Sequence, residues 1–244
     1  MSKNVFPNGM KLSVVIPIYN EEKTLREIVE KVQATPYTKE ILLIDDCSKD
    51  SSREIMKVLE KEFDNIRCFY HEKNLGKGGG LATGFAQTTG DVVLIQDADL
   101  EYDPADYPVL LRPIIEGKAD VVFGSRFLGG AYARVHLFYH YLGNRFLTMV
   151  SNMFTNLNLT DMETCYKVFR KEFADRLDLK SRTFAVEPEI TAKVSKMRAR
   201  IYEVPISYAG RDYSEGKKIG PKDAFIAIWA IARWTLFGKV RPAK

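Results

Sequence analysis

Short apolar runs alternate with longer amphipathic segments through the first half of this 244-residue chain, and this alternation limits the folds open to it. The runs are rich in β-branched residues, which predicts buried strands, and the segments between them have helical spacing. Strict alternation predicts an α/β fold with a mostly parallel central sheet and helices on both faces. Strands are predicted at 12–16, 40–44, 66–70, 92–95 and 119–123, and helices at 21–33, 51–63, 78–87 and 104–116.

The pattern changes after residue 130. Helices are predicted near 136–157 and 188–196, and a late strand at 200–207. A charged loop with glycines at 210–220 precedes an apolar segment at 224–237. We therefore predict one domain over residues 1–220, followed by a C-terminal apolar helix and basic tail over 221–244.

The carboxyl ends of parallel strands form the edge at which such sheets bind ligands. After the first predicted strand, Tyr19 can stack on a nucleobase and Glu21 can accept a hydrogen bond from it. Pro17 and Asn20 are also ordinary punctuation between a strand and a helix, so a purely structural role stays open.

Two further segments favour a nucleotide site. Asp45 and Asp46 follow the second strand and can accept hydrogen bonds from a base or a ribose, although one of them can instead cap the next helix. The glycine-rich turn at 74–80 opens a helix and contains one lysine, a form that suits phosphate. It lacks the spacing and the hydroxyl residue of a P-loop, which disfavours a Walker-type nucleotidase.

The most informative element follows the buried run at 92–95, where Asp97, Asp99 and Glu101 occupy alternate positions. Three carboxylates this close repel one another without a counter-charge, which a divalent cation would supply. Ligand sets made only of oxygen favour Mg²⁺ or Mn²⁺, which commonly bridge carboxylates to substrate phosphates. A solvated acidic turn is the alternative, because Asp103 continues the acids into the loop.

In this order the motifs resemble glycosyltransferase family 2. Further matches at 124–127, 161–167 and 203–206 are similar to its dolichol-phosphate mannosyltransferase and polyprenyl-phosphate hexosyltransferase branch, and the resemblance covers about residues 12–219. It implies a single-domain GT-A type fold and inverting, metal-dependent transfer of a hexose to a polyprenyl or dolichyl phosphate. GDP-mannose and UDP-glucose both stay open as the donor.

The resemblance also implies roles for individual residues. Asp97, Asp99 and Glu101 would surround the metal and the donor diphosphate, and relatives of the mannosyltransferase type often have Gln where this chain has Glu101. Nucleotide contacts are expected from Pro17, Tyr19, Glu21, Asp46, Lys77, Asp97 and Ala98.

A lipid monophosphate acceptor is already an anion, so its attack needs no general base, but it is repelled by the donor diphosphate. Arginine suits this problem, because a guanidinium binds phosphate oxygens bidentately and stays charged. Arg126 and Arg211 are predicted to act in catalysis beside Asp97 and Asp99. The acceptor phosphate is predicted to bind Arg126, Arg134 and Lys217.

A saccharide hydroxyl acceptor would instead need a carboxylate base. Asp161 and Glu163 are the candidates, although Asp161 can also merely cap the segment that follows it. Two other functions stay open. A sugar-nucleotide-forming nucleotidyltransferase would normally show a glycine-rich signature near the first strand, which residues 17–20 lack. A non-catalytic module would bind the nucleotide sugar without consuming it.

Charge is distributed unevenly along the chain. Residues 193–244 contain twelve Lys or Arg against four Asp or Glu, within an overall charge of +4. Such a region suits phosphate, anionic lipid or nucleic acid, and no recognisable motif supports nucleic acid. The segment at 224–237 is shorter than the roughly 20 residues of a spanning helix. Its tryptophans and basic flanks favour an interfacial helix, with docking on the core or in a dimer as the alternative.

The compartment is predicted from cysteines and the N-terminus. Three cysteines show no metal-ligand spacing, and residues 1–11 lack the apolar run of a signal peptide. We therefore expect a cytoplasmic protein without structural disulfides that contacts a membrane face peripherally.

Overall fold

The chain forms a single seven-stranded sheet in the residues that the computed structural model describes, which are 9–129, 135, 137–183, 185–210 and 221–242. The strands are β1 (Leu12–Ile18), β2 (Lys39–Asp45), β3 (Ile66–Tyr70), β4 (Val92–Ile95), β5 (Val121–Ser125), β6 (Lys167–Arg170) and β7 (Ile201–Pro205).

The sheet order is β3-β2-β1-β4-β6-β5-β7, and every strand except β6 runs in the same direction. The predicted mostly parallel sheet is thereby confirmed. β6 lies antiparallel between β4 and β5. The sequence pattern misses it because it is only four residues long and begins and ends with a charged residue.

Helices cover both faces of this sheet, as predicted, and most begin or end within a few residues of the predicted positions. They are α1 (Leu25–Ala34), α2 (Ser52–Glu62), α3 (Lys77–Gln87), α4 (Tyr107–Ile115), α5 (Phe138–Thr155), α6 (Lys171–Ala174), α7 (Val186–Lys196) and α8 (Pro221–Phe237).

Two apolar layers lie on opposite faces of the sheet, because successive side chains of a strand point to opposite sides. In β1, Val14 and Ile16 belong to the layer that includes residues of α1, α2 and α4, whereas Val15 belongs to the layer that includes residues of α3 and α7. The central strands are therefore buried on both sides, which is why they read as continuous apolar runs.

The predicted end of the first strand at residue 16, before Pro17, is wrong, since β1 continues to Ile18 and pairs with β2 over its full length. β4 pairs with β1 only as far as Val15, so the last part of β1 has an edge without that neighbour, where a proline is tolerated. The first helix begins at Leu25 rather than at 21, because Asn20 adopts a left-handed φ of 57° and a turn precedes the helix.

The C-terminal helix α8 packs against α5 and α7. Ala230 and Trp234 of α8 are buried against Ala192, and the Trp234 indole donates a 3.0 Å hydrogen bond to Ser181 Oγ. One face of α8 is thus docked on the core, the alternative raised for this segment. None of the described helices is long and apolar enough to span a bilayer.

Substituting two helical glycines tests the packing of helix on sheet. A Cβ at Gly84 of α3 would lie 2.3 Å from Val15 Cγ1 in the sheet below. We expect Gly84→Ala to lower the free energy of unfolding by about 1–3 kcal/mol through overpacking. Gly143 of α5 is the matched control, because nothing lies within 4 Å of an added Cβ. Gly143→Ala should raise stability by roughly 0.5–1 kcal/mol. Urea unfolding of both variants measures the difference, and equal effects would contradict this packing.

Candidate active site

Lys77, the first residue of α3, lies where four parts of the chain meet at the carboxyl edge of the sheet. Its Nζ is 2.9 Å from Asp97 Oδ1, in the loop after β4, and 3.5 Å from Glu187 Oε1, in the first turn of α7. It also lies 2.7 Å from the Sγ of Cys165, two residues before β6. The counter-charge for Asp97 is therefore a lysine of the same chain.

The glycine-rich turn places Lys77 by close contact between backbones. A Cβ at Gly76, whose φ is 75°, would lie 2.1 Å from the Arg182 carbonyl oxygen, and one at Gly78 would lie 1.8 Å from that of Ser181. The Gly78 amide donates a 3.0 Å hydrogen bond to the Arg182 carbonyl. Close packing against residues 181–182 thus explains these two glycines without a bound phosphate.

Asp46 holds the same turn from its other side. Its carboxylate accepts hydrogen bonds from the amides of Leu75 and Gly76, at 2.7 and 2.6 Å, and lies 2.8 Å from His71 Nδ1. The side chain is almost completely buried. Asp46 therefore fixes the turn that carries Lys77, and its contact with a nucleotide stays a prediction.

Asp45 holds the loop before α2 and the Arg53 side chain, and its contacts are not those of a helix cap, the alternative considered for one of the two acids. Its carboxylate accepts from the Ser48 amide at 3.1 Å and from Arg53 Nε of α2 at 2.6 Å. The loop after β1 lies against the same segment, because the Asn20 amide donates to Ser48 Oγ at 3.0 Å. Beside this contact, the Tyr19 side chain is 40% exposed, which leaves its ring accessible for stacking.

The two other predicted nucleotide contacts of the β1 region are also located. Pro17 lies in β1, and its Cβ faces Gly80 of α3. Glu21 accepts a 3.0 Å hydrogen bond from Thr24 Oγ1 in the turn before α1. Ala98 is buried between the two aspartates of the acidic loop.

The three alternate acids do not converge on one point. Asp99 accepts from the Glu101 amide at 3.1 Å, and Glu101 Oε2 accepts from the Tyr208 hydroxyl at 2.7 Å. Leu100 lies between them with a left-handed φ of 63°, which turns the chain. Within the described part of the chain, no group of three His, Cys, Asp or Glu side chains is placed to hold a metal ion.

Burial and charge act in opposite directions on Lys77. Burial lowers the pKa of its ammonium, but attraction to Asp97 and to Glu187 outweighs burial, and the pKa rises well above its ordinary value. Lys77 therefore stays a cation throughout the physiological pH range.

A second group of buried charges lies behind Lys77. Lys167 of β6 binds Glu187 Oε2 and the Thr164 carbonyl, and its Nζ is 4.9 Å from the centroid of the Phe123 ring. Glu163 lies nearby, and its buried Oε1 has no hydrogen-bond partner among the described residues. Burial, reinforced by the charge of Glu187, raises the pKa of Glu163 to about 7.

Arg126, which follows β5, forms a bidentate ion pair with Asp161. Its Nε and one terminal nitrogen lie 2.7 Å from the two carboxylate oxygens, and that nitrogen also donates to Asn144 of α5 at 3.3 Å. Asp161 is completely buried, and Glu203 of β7 accepts from its amide at 3.2 Å. The structure thus joins a predicted arginine to a predicted base, which leaves Asp161 poorly placed to remove a proton.

Several predicted and several unforeseen residues remain to be placed. Arg134, Arg211 and Lys217 lie outside the described residues. Lys167 and Glu187 were not predicted as site residues, because they are 20 positions apart and only the fold brings them together. The one local sequence feature that could have indicated Lys167 is its position next to the apolar pair that forms the middle of β6.

Comparison with known proteins assigns the chain to a family. The model of glycosyl transferase family 2 matches residues 13–178. The dolichol-phosphate mannosyltransferase of Pyrococcus furiosus is 29% identical over 86% of this chain and 60% of its own length. The undecaprenyl-phosphate 4-deoxy-4-formamido-L-arabinose transferase of Salmonella paratyphi A is 29% identical over 85% of this chain and 62% of its own. The chain thus spans about three-fifths of the length of these curated relatives.

Solved structures confirm the GT-A type fold. Glucosyl-3-phosphoglycerate synthase from Mycobacterium tuberculosis, crystallised with Mn²⁺, uridine diphosphate and phosphoglyceric acid, superposes with a TM-score of 0.70 at 18% identity, over 93% of this chain and 78% of that chain. Mannosyl-3-phosphoglycerate synthase from Rubrobacter xylanophilus also gives 0.70, at 19% identity, over 93% and 73% of the two chains. Because the family model matches well over half of the sequence, the chain belongs to glycosyl transferase family 2.

Proposed function

We propose that this protein transfers mannose or glucose from a nucleotide sugar to a polyprenyl or dolichyl phosphate, with inversion at the anomeric carbon. The observation that carries the proposal is the largely buried Lys77–Asp97 pair at the carboxyl edge of the sheet, where such folds bind nucleotides. At the same edge of the sheet, Arg126 follows β5 and is held in a fixed orientation by Asp161.

The names of the relatives support the class of acceptor. The Pyrococcus furiosus and Salmonella relatives are named for different sugars but share a polyprenyl-type phosphate acceptor. Because the relatives are named for different sugars, their names do not select between GDP-mannose and UDP-glucose as the proposed donor. The proposal includes a catalytic domain at 1–220, followed by a C-terminal helix and tail at 221–244. We also propose a cytoplasmic location with peripheral contact to the membrane, because the proposed acceptor is a lipid.

Mg²⁺ or Mn²⁺ is proposed to bind at Asp97 and Asp99. Mg²⁺ is usually held by one or two carboxylates together with substrate phosphates, so two aspartates suffice where no three-carboxylate group exists among the described residues. Glu101 contacts Tyr208 and is the weakest of the predicted ligands. The bound cation would neutralise charge on the departing nucleoside diphosphate.

The residues of the chain orient the substrates and compensate their charge. Lys77 holds a permanent positive charge that balances Asp97 and fixes the loop after β4. Pro17 in β1 and Tyr19, Glu21 and Asp46 beyond the strand ends are the residues proposed to bind the base. Arg126 is proposed to meet the acceptor phosphate from a geometry that Asp161 fixes in advance, which reduces reorganisation during the reaction. The other proposed phosphate ligands, which lie outside the described residues, are Arg134, Arg211 and Lys217.

Transfer of radiolabelled sugar from GDP- and UDP-sugars to polyprenyl phosphate tests the proposal directly. We expect label in the lipid phase that requires Mg²⁺ or Mn²⁺ and is abolished by EDTA. Asp99→Ala should reduce transfer on the order of 100-fold or more, because electrostatic stabilisation of the leaving group amounts to several kcal/mol. Asp64→Ala, at an exposed acid that precedes the amino end of β3 and so lies at the opposite edge of the sheet, is the control and should leave transfer unchanged. Donor binding without any lipid product would instead favour a saccharide acceptor or a binding module.

The stereochemistry of the product is a separate test. In-line displacement by the acceptor phosphate should convert an α-linked donor into a β-linked product. The anomeric coupling constants in the NMR spectrum of the purified product distinguish the two linkages, and an α-linked product would exclude the inverting mechanism.

A saccharide acceptor is the second candidate, and Glu163 is the observation that favours it. A carboxyl group with a pKa of about 7 is well matched to general-base catalysis at neutral pH. Transfer to polyprenyl phosphate needs no base, so Glu163→Gln should retain lipid transfer within a few-fold. If a hydroxyl were the nucleophile, the same substitution should reduce the rate by roughly 10²- to 10⁴-fold.

The raised pKa of Glu163 also predicts how stability depends on pH. The folded state holds this proton more tightly than the unfolded state, so the associated stability is present below about pH 4.5 and is lost as the pH rises through about 7. Glu163→Gln removes this dependence. Between pH 5 and pH 8 the stability of the variant should rise relative to wild type by up to roughly 3 kcal/mol. Urea unfolding at the two pH values measures the shift, and an unchanged difference would contradict a buried acid at this position.

A further inference from the structure

A short loop before α7 lies between the C-terminal helix and the glycine-rich turn. It consists of residues 180–182, and we call it the 180–182 loop. The Oγ of Ser181 accepts a 3.0 Å hydrogen bond from the indole of Trp234 in α8. The carbonyl oxygen of Ser181 lies so close to Gly78 that an added Cβ there would be 1.8 Å away. A single residue therefore connects α8 to the turn that carries Lys77.

The contact between the loop and the turn is made by backbone atoms. The Gly78 amide donates a 3.0 Å hydrogen bond to the Arg182 carbonyl, and a Cβ at Gly76 would lie 2.1 Å from the same oxygen. Gly78 directly follows Lys77 at the start of α3. Because the backbone cannot turn aside as a side chain can, a shift of the 180–182 loop has to move the start of α3 or break this hydrogen bond. The position of the loop therefore determines the position of Lys77.

A buried carboxylate holds the backbone of the loop. Glu189 of α7 is completely buried and accepts hydrogen bonds from the amides of Lys180 and Ser181, at 2.9 and 2.6 Å. Its counter-charge is Lys193, one turn along α7, whose Nζ lies 2.5 Å away. The same Nζ is 4.8 Å from the centroid of the Trp234 ring. Trp234 thus contacts the loop through its indole nitrogen and the ion pair that holds the loop through its ring.

The end of α8 is attached to the same region of the molecule. Lys196, the last residue of α7, donates a 2.7 Å hydrogen bond to the Gly238 carbonyl. Farther along, the Arg241 amide donates to the Arg176 carbonyl at 3.1 Å, and Arg176 Nε donates to the Arg241 carbonyl at 3.0 Å. Trp234 itself is only 9% exposed. The indole that contacts the loop is therefore held in place by the packing of α8.

This connection lies beyond the segment that the family model matches. The match ends at residue 178, so it contains Lys77 but neither Ser181 nor Trp234. We propose that Trp234 and Ser181 are positioning residues, which fix the glycine-rich turn and, through it, the place of Lys77 in the donor site. The effect on the turn is independent of the proposed function, whereas the effect on donor binding rests on it.

Amide hydrogen exchange of the full chain, without substrates, tests the connection to the turn. Trp234→Phe keeps an aromatic ring but removes the N–H donor, and Ser181→Ala removes its acceptor. We expect each substitution to accelerate exchange at residues 74–80 by several-fold, because the Gly78 amide loses a fixed partner. Trp229→Phe is the matched control, since it changes the other tryptophan of the chain, which lies 58% exposed on the same helix. It should exchange like wild type.

Steady-state kinetics tests the consequence for the donor. In Trp234→Phe and in Ser181→Ala, the KM for the nucleotide sugar should rise roughly 3- to 10-fold, the effect of one hydrogen bond, while kcat stays within about twofold. A variant that merely folds less completely would lose kcat at an unchanged KM. The double variant should match either single variant, because both substitutions remove the same hydrogen bond. Trp229→Phe should keep the wild-type constants.

Three results would overturn the proposal. Wild-type exchange at residues 74–80 in both variants would show that the loop does not hold the turn. Accelerated exchange with an unchanged KM would remove the role in donor binding. Additive increases of KM in the double variant would show that Trp234 and Ser181 act separately. If the wild-type enzyme transfers no sugar from any donor, the proposed function fails, and hydrogen exchange still decides whether Trp234 holds the turn.

Discussion

The structure of the site depends on the ion pair between Lys77 and Asp97, both of which are largely buried. Removing one partner of a buried pair leaves an uncompensated charge and costs about 3–5 kcal/mol. The surrounding elements hold this pair in place: Asp46 fixes the turn before Lys77, two glycines let that turn pack on residues 181–182, and Glu187 provides a second carboxylate. The glycine-rich turn, whose form suits phosphate, therefore serves first to place Lys77 against Asp97 at the carboxyl end of β4.

The same design recurs at the other end of the site. Asp161 orients the guanidinium of Arg126, and Glu203 of β7 in turn accepts hydrogen bonds from the backbone amides of Thr160 and Asp161. Arg126, at the end of β5, is thus held by the carboxylate of Asp161, and Glu203 of β7 fixes the backbone at Asp161. Groups fixed in this way need little rearrangement when phosphate charge arrives, which is the physical basis of electrostatic preorganisation.

The sequence predicted the strands well because the central ones are buried on both faces and therefore read as apolar runs. The loops that face the site were also predicted, because the carboxyl ends of the predicted strands define the edge of the sheet where the site lies. The sequence did not predict β6 or the pairing of Lys167 with Glu187, which depend on contacts between distant segments. The sequence interpretation also placed Asp97, Asp99 and Glu101 around one metal ion. In the structure, the left-handed backbone at Leu100 turns Glu101 towards Tyr208.

Charge balance shows that the cluster of Lys77, Lys167, Asp97 and Glu187 needs additional positive charge in order to bind phosphate groups. With Glu163 protonated, Lys77 and Lys167 balance Asp97 and Glu187, so the buried group carries no net positive charge to offer a substrate. A donor diphosphate and an acceptor phosphate would bring several negative charges to this edge of the sheet. Compensation must then come from a cation bound at the aspartates or from basic side chains beyond the buried cluster. Arg211, Lys217 and Lys218, which lie close together in the sequence, are suited to supply part of it.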